Sequence, residues 1–315
     1  RRFLNRWQPD IALFVESDLW PNMMIETSRR QIPMILVNGR MSEHSFQRWH
    51  YLPRTIVNLL GRFDLCLART PADALRLSEL GAPRVVTAGN IKLDVPAPPA
   101  DAVDLKALAD SIGTRPIIAA ASTHSGEDAI MIEAHARLRA TFPGLLTIIA
   151  PRHPERGTGV AEIARAAGLT AAARSRGETI APNTEIYVAD TMGELGLLYR
   201  LAPVVFVGGS LVRHGGQNPI EPAKLGAAIL HGPHVWNFAE IYEALDQARG
   251  AEPVGDADRL TAAFAAMLND PLARERAATA ARTTVDALGG ALERTLQSLE
   301  PYLMHMMLQR RGRHP

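Results

Sequence analysis

Four loops of this chain carry residues able to grip an anion. They are Ser122-Thr123-His124-Ser125-Gly126-Glu127, Pro151-Arg152-His153-Pro154-Glu155, Asp190-Thr191-Met192-Gly193-Glu194, and Gly208-Gly209-Ser210 running on to His214-Gly215-Gly216-Gln217-Asn218-Pro219-Ile220-Glu221. Three of them also read as helix starts: Ser125 with Asp128, Thr191 with Glu194, and Asn218 with Pro219 and Glu221 pair a capping side chain with a carboxylate in the first turn. A helix start offers free backbone N–H groups and a partial positive charge, which suits a phosphate. Arg152 adds a guanidinium able to hold the same anion through charge-assisted bonds. The expected ligand is a nucleotide or another phosphorylated small molecule.

Each feature also has a plain structural reading. Glu194 and Glu221 stand where a carboxylate completes a capping box. Arg152 suits a surface ion pair, and Gly208-Gly209 after a strand is a turn that matches no full dinucleotide fingerprint. The histidines His124, His153, His214, His231 and His234 fit no zinc spacing, so no metal is expected. Convergence of the loops is what favours a site, because ligands of open parallel sheets bind beyond the carboxyl ends of the strands.

The elements behind these loops are short apolar runs alternating with helical patterns, the mark of parallel α/β layering. In the first half, strands are read at 11–15, 34–37, 65–68 and 84–87. A helix near 21–30 lies among them, and another is opened by Thr70-Pro71-Ala72-Asp73. The opening residues Arg1-Arg2-Phe3 are expected to lead soon into the first strand. The segment Val95-Pro96-Ala97-Pro98-Pro99-Ala100 breaks regular structure and reads as a linker. A second series follows, with strands at 116–121, 145–150, 185–189, 204–207 and 227–231, a helix at 127–140 and a helical, Ala-rich end from residue 257.

The reading is an α/β chain of two Rossmann-like, doubly wound domains. A partial N-terminal domain occupies 1–97, a linker 98–114, a C-terminal domain 115–290, and a terminal helix with a basic tail 291–315. About 95 residues precede the linker, against ~100–200 for a typical domain, so the first domain reads as incomplete at its start.

Composition narrows the class. At 47% hydrophobic and 21% charged, the 315-residue chain is an ordinary globular protein. Its net charge of +1 provides no global field for nucleic acid. The single cysteine, Cys66, sits in Leu65-Cys66-Leu67; it cannot form an internal disulfide and is expected to be a buried core thiol in a reducing compartment. No apolar stretch approaches the roughly 20 residues of a spanning helix. The tail Gln309-Arg310-Arg311-Gly312-Arg313-His314-Pro315 reads as a solvated basic end.

The chain resembles the bacterial 3-deoxy-D-manno-octulosonic acid (Kdo) transferases. The resemblance is carried by Glu16-Ser17-Asp18-Leu19-Trp20-Pro21-Asn22, Asn38-Gly39-Arg40-Met41-Ser42, Gly89-Asn90-Ile91-Lys92-Leu93-Asp94, Ser122-Thr123-His124 and Pro151-Arg152-His153-Pro154-Glu155-Arg156. Its longest part runs from Asp190-Thr191-Met192-Gly193-Glu194 through Val207-Gly208-Gly209-Ser210-Leu211 and Gly215-Gly216-Gln217-Asn218-Pro219-Ile220-Glu221-Pro222 to Gly232-Pro233-His234. It implies the GT-B fold, with 1–97 on the acceptor side and 115–290 binding a CMP-sugar. The implied activity is inverting transfer of Kdo from CMP-Kdo to the lipid A precursor lipid IVA in lipopolysaccharide biosynthesis, without metal or other cofactor.

The family's CMP site falls on Pro151, Arg152, Met192, Gly193, Glu194, Asn218, Pro219, Ile220 and Glu221. The resemblance implies that the family's general-base glutamate and membrane-anchoring segment would fall ahead of residue 1. No catalytic residue is therefore expected in this chain, which should bind CMP yet transfer no Kdo. Glu16 is read as a cleft residue without an assigned role. The implied setting is the cytoplasmic side of the Gram-negative inner membrane, with the membrane surface as a partner and no nucleic acid. Two alternatives stay open: a UDP-sugar 2-epimerase-like isomerase of the same fold, which would prefer UDP to CMP, and a non-catalytic nucleotide-binding relative.

Overall fold

The structure, a computed structural model, describes residues 1–311 and the side chains through Leu308. The basic tail 309–315 read from the sequence lies outside the described side chains. The chain divides into two compact units, Arg1–Val95 with the chain from Leu288 onward, and Pro96–Ala287.

The first unit opens with a short helix, α1 (Arg2–Trp7), where the sequence suggested direct entry into a strand. Its six residues bury only Leu4 and so carry no periodic signal; Gln8 ends it in the left-handed conformation at φ 41°. There follow β1 (Ala12–Val15), α2 (Pro21–Ser28), β2 (Met34–Gly39), α3 (Glu43–Trp49), α4 (Pro53–Leu60), β3 (Leu65–Ala68), α5 (Pro71–Glu79) and β4 (Val85–Thr87). The four strands are parallel, in the order β1-β2-β3-β4. Thr70 caps α5 as expected, accepting the Asp73 N–H at 3.0 Å. One sheet face buries Phe14, Met34, Leu36 and Cys66 against Met24, Ile56, Leu60 and Leu77. Burial pushes the Cys66 thiol up to about 12, as befits a core residue.

In the second unit, α6 (Ala102–Ile112) lies inside the stretch 98–114 read as a linker. Asp101 starts it by accepting the N–H groups of Val103 and Asp104 at 2.8 and 3.0 Å. The proline segment ahead of α6 is seated rather than free. Arg200 donates to the Pro98 carbonyl at 2.8 Å, and a Cβ on Gly196 would stand 2.0 Å from the Pro99 carbonyl oxygen.

The remaining elements are β5 (Ile117–Thr123), α7 (Glu127–Leu138), β6 (Leu146–Pro151), α8 (Gly157–Ala166), β7 (Ala171–Ala173), β8 (Ile186–Val188), α9 (Leu195–Leu201), β9 (Val204–Val207), α10 (Ile220–Lys224), β10 (Ala228–His231), α11 (Ala239–Gln247), β11 (Ala251–Pro253), α12 (Ala257–Asn269) and α13 (Pro271–Ala287). The seven strands are parallel in the order β11-β10-β9-β5-β6-β8-β7. The core buries Ile118, Ile149, Val188, Val204, Phe206 and Leu230 against the helices. β7 and β11 are absent from the sequence reading. They are three residues each, and Ala171-Ala172-Ala173 has none of the β-branched side chains that mark a strand.

The last helix, α14 (Ala291–Arg311), belongs with the first unit. Its Leu299 covers the second sheet face with Ile35, Val37, Leu65 and Leu67. Asp94 fixes its start, accepting the Gly290 and Leu292 N–H groups, each at 2.6 Å.

Candidate functional site

The strands β9, β5, β6 and β8 are neighbours running in one direction, so the loops that follow them leave the sheet on the same edge. Pro151 is the last residue of β6 and is buried opposite Thr123 at the end of β5. The Arg152 N–H donates to the Thr123 carbonyl at 3.0 Å, which fixes the backbone where the loop turns. The Arg152 side chain is exposed, and among the described residues no ion pair engages it. Its charge is nevertheless felt by Glu221, beyond β9, and by His124, after β5.

Beyond β9, Asn218 accepts the Ile220 N–H at 3.0 Å and donates to the Glu221 carboxylate at 3.1 Å. Asn218 and Glu221 thus bond to each other as the expected pair, although α10 begins only at Ile220 with Pro219 at the capping position. Pro219 and Ile220 are buried, and Glu221 is half-buried. Burial raises the Glu221 carboxyl above its ordinary value, with the Asn218 hydrogen bond and the Arg152 charge opposing the rise.

Beyond β8, Met192 is 76% exposed and Gly193 turns the chain at φ 81°. Glu194 is not a free carboxylate. Arg174 holds both of its oxygens, and the Thr191 hydroxyl donates to it, so its carboxyl lies below its ordinary value, chiefly through the Arg174 hydrogen bonds. The guanidinium of Arg174 also reaches Asp104 at 2.7 Å. The Thr191 cap is thus redirected: α9 begins only at Leu195, with Glu194 itself at the capping position. The Ser125 cap does not form either. Gly126 precedes α7, and Asp128 bonds instead to the Thr123 hydroxyl at 2.5 Å and to Arg156.

Three of the five histidines meet at this edge. His124 stacks on His214 with centroids 4.0 Å apart and faces His153 edge-on at 6.2 Å. Gln217 contacts the His124 ring at 3.0 Å. The His124 pKa is lowered first by burial and then by His214, His153, Arg156 and Arg152, so this imidazole favours its neutral form beside the arginine. His231 is apart and buried, bonded to the Gly232 carbonyl at 2.8 Å and to Asp246 at 2.9 Å. Among the described residues no group of three or more His, Cys, Asp or Glu side chains is arranged to hold a metal ion.

The first unit gathers three separate sequence motifs at its own carboxyl edge. Glu16 and Asn38 follow β1 and end β2 in left-handed conformations, φ 58° and 54°, and Asn38 donates to Glu16 at 3.5 Å. Lys92 pairs with the same carboxylate and holds it below its ordinary value. Two non-glycine residues with positive φ side by side are the kind of backbone strain found at functional positions.

A family model described as 3-deoxy-D-manno-octulosonic-acid transferase (kdotransferase) matches residues 1–95. The chain is similar to the 3-deoxy-D-manno-octulosonic acid transferase of Haemophilus influenzae, 37% identical over 310 residues, covering 96% of this chain and 72% of the relative. The transferase of Bordetella pertussis is 38% identical over 313 residues, again covering 96% and 72%. Among solved structures, the C-terminal CMP-Kdo binding domain of WaaA from Acinetobacter baumannii aligns at 34% identity and TM-score 0.56, covering 58% of this chain and 96% of that one. A UDP-GlcNAc 2-epimerase from Neisseria meningitidis, bound to UDP-GlcNAc, aligns at 12% identity and TM-score 0.57 over 94% of this chain and 78% of that one, a likeness of fold alone. The α/β architecture is that of the GT-B folds, as the sequence suggested.

Proposed function

The chain belongs to the 3-deoxy-D-manno-octulosonic-acid transferase family, and on that premise we propose that it transfers Kdo from CMP-Kdo to a lipid A precursor in lipopolysaccharide biosynthesis. An acceptor hydroxyl oxygen bonds to the anomeric carbon of Kdo while the bond from that carbon to the CMP phosphate oxygen breaks. The electron pair leaves on the phosphate, and the hydroxyl proton goes to a general base. No described residue is assigned that proton-accepting role.

The observation that carries this reading is the exposed guanidinium of Arg152 and the half-buried carboxylate of Glu221 that feels its charge, beyond the carboxyl ends of β6 and β9, the strands on either side of β5. A phosphate that gains charge as its ester bond breaks is stabilised by a fixed cation and by backbone N–H groups aimed at it. Arg152 supplies the cation, and the turn at Met192-Gly193, beyond the neighbouring strand β8, supplies exposed backbone. A carboxylate repels phosphate, so Glu221, oriented by Asn218, suits the ribose hydroxyls as an acceptor. Pro151, Pro219 and Ile220 shape the floor, and Glu194, clamped by Arg174, holds the 192–194 turn.

A lipid acceptor together with a nucleotide-activated donor supports assigning the reaction to the cytoplasmic face of the inner membrane. Among the described residues no helix is long and apolar enough to cross a membrane.

Calorimetric titration of the chain with CMP, UMP and UDP tests the donor site. Tightest binding of CMP is expected. A preference for UDP would overturn the assignment and favour an epimerase-like isomerase instead.

A further inference from the structure

Glu127 is 0% exposed, and its carboxylate is used entirely inside the protein. One oxygen accepts the backbone N–H groups of His124 at 2.8 Å and Gly209 at 2.7 Å. The other accepts those of Ser210 and Leu211, both at 3.0 Å. Successive amides turned inward around a left-handed residue, here Gly209 at φ 67°, form a concave nest that attracts an anion. The nest after β9 is filled by the protein's own side chain. Close contact of the two loops is allowed by Gly208, where a Cβ would stand 2.5 Å from the Ser122 carbonyl oxygen.

The next residue, Asp128, is 1% exposed and works in the other direction. It accepts the Thr123 hydroxyl at 2.5 Å and pairs with Arg156. Arg156 in turn donates at 2.9 Å to the Thr123 carbonyl, the same oxygen that receives the Arg152 N–H. Two consecutive carboxylates therefore tie the loop after β5 to both its neighbours, Glu127 to the loop after β9 and Asp128 to the loop after β6.

We infer that Glu127 is a positioning residue for the donor site: it anchors the loop 208–221 to the end of β5 and so sets where Asn218 and Glu221 stand relative to Arg152. The inference rests on the reading of these loops as the CMP site. A buried carboxylate is tolerated only when its lone pairs are satisfied, and four amides from two loops meet that demand with charge-assisted bonds. Removing the anion leaves four N–H groups facing one another without an acceptor, and the loops then part. A second consequence follows. Since the nest is occupied, the ligand phosphate is left to Arg152 and to backbone of the loops after β6 and β8.

The test is Glu127→Gln and Glu127→Ala in the whole 315-residue chain. Glutamine keeps the volume but turns an NH2 group toward amides that need an acceptor. The CMP dissociation constant is expected to rise on the order of 10- to 100-fold in both, with the far-UV circular dichroism and a cooperative melt retained. Acetate or formate should refill the nest of Glu127→Ala and restore part of the lost affinity. Folded variants that bind CMP as the parent does, or a Glu127→Ala protein indifferent to these carboxylates, would overturn the inference.

If Glu127→Ala does not fold, hydrogen exchange in Glu127→Gln decides. Faster exchange confined to the amides of His124, Gly209, Ser210 and Leu211 supports the anchor, and unchanged exchange overturns it. A parent chain that binds no CMP would defeat the donor-site reading alone, and the same four amides would still judge the anchor.

Discussion

Arg174 closes on Glu194 through two contacts, Nε to Oε2 at 2.5 Å and Nη2 to Oε1 at 2.6 Å. The two residues flank β8, so the pair ties the turn at Met192-Gly193 to the segment after β7. Because the Glu194 carboxyl is lowered in the folded state, the pair's stability is fully present above the unfolded value of about 4.3 and is lost as pH falls through the lower folded value. Arg174→Met should cost roughly 1–2 kcal/mol at neutral pH, a figure already reduced for partial exposure. Urea unfolding of both proteins at pH 7 and pH 3 should show the gap shrinking in acid; an equal gap at both would contradict this origin.

Arg152 has the opposite character, a guanidinium left open to solvent. Arg152→Ala should leave the melting temperature nearly unchanged while weakening CMP binding by roughly 10- to 100-fold, the value of hydrogen bonds to a charged group. Arg152→Lys should recover only part, since lysine keeps the charge but loses the two-pronged geometry. Calorimetry on the three proteins separates these outcomes, and unchanged CMP affinity in the alanine variant would remove Arg152 from the site.

Glu221 should trade stability against binding. Its carboxyl is raised in the folded state, so ionisation opposes folding, and stability declines as pH rises from the unfolded value through the folded one. Glu221→Gln removes that opposition and should melt higher at neutral pH, yet bind CMP more weakly because one ribose acceptor becomes a donor. A variant that melts lower would show that the ionised carboxylate contributes more than its burial costs.

Lys92 is the main cause of the lowered Glu16 carboxyl, through a hydrogen bond and its charge. Lys92→Met should return that carboxyl toward the ordinary range near 4.3. Carbon-detected NMR titration of the side chain reads this directly, and a carboxyl that stays low in the variant would assign the effect to Asn38 instead.

What the sequence displayed and what it concealed have different physical causes. Val204-Val205-Phe206-Val207 announces a buried strand through its side chains, whereas Ala171-Ala172-Ala173 is held in β7 by pairing with β8 and has no local signal. The segment 98–114 reads as a linker because its prolines are conspicuous and outweigh the quieter signal of the Asp101 cap that begins α6. At the candidate site, the alternation of strands and loops is enough to put Arg152 and Asn218–Glu221 at one edge of the sheet. Glu221 stays with Asn218, three residues away, but the destinations of the other carboxylates were not legible. Glu194 and Glu127 both sit near helix starts, and only tertiary structure sends the first to Arg174 and the second to the amides of Gly209, Ser210 and Leu211, beside that of nearby His124. Local pattern specifies that an acceptor is present but not which donor, many residues away, will reach it.

The return of α14 to the first unit has a practical bearing on how this polypeptide can be dissected. Residues 96–287 are contiguous and form one compact unit, so a gene fragment with those limits is expected to fold by itself. A fragment ending at Val95 would bare Val37 and Leu67 to water and strand Asp94 without its two amide partners. Recovering the first unit alone calls for splicing the terminal helix back on through a short artificial bridge.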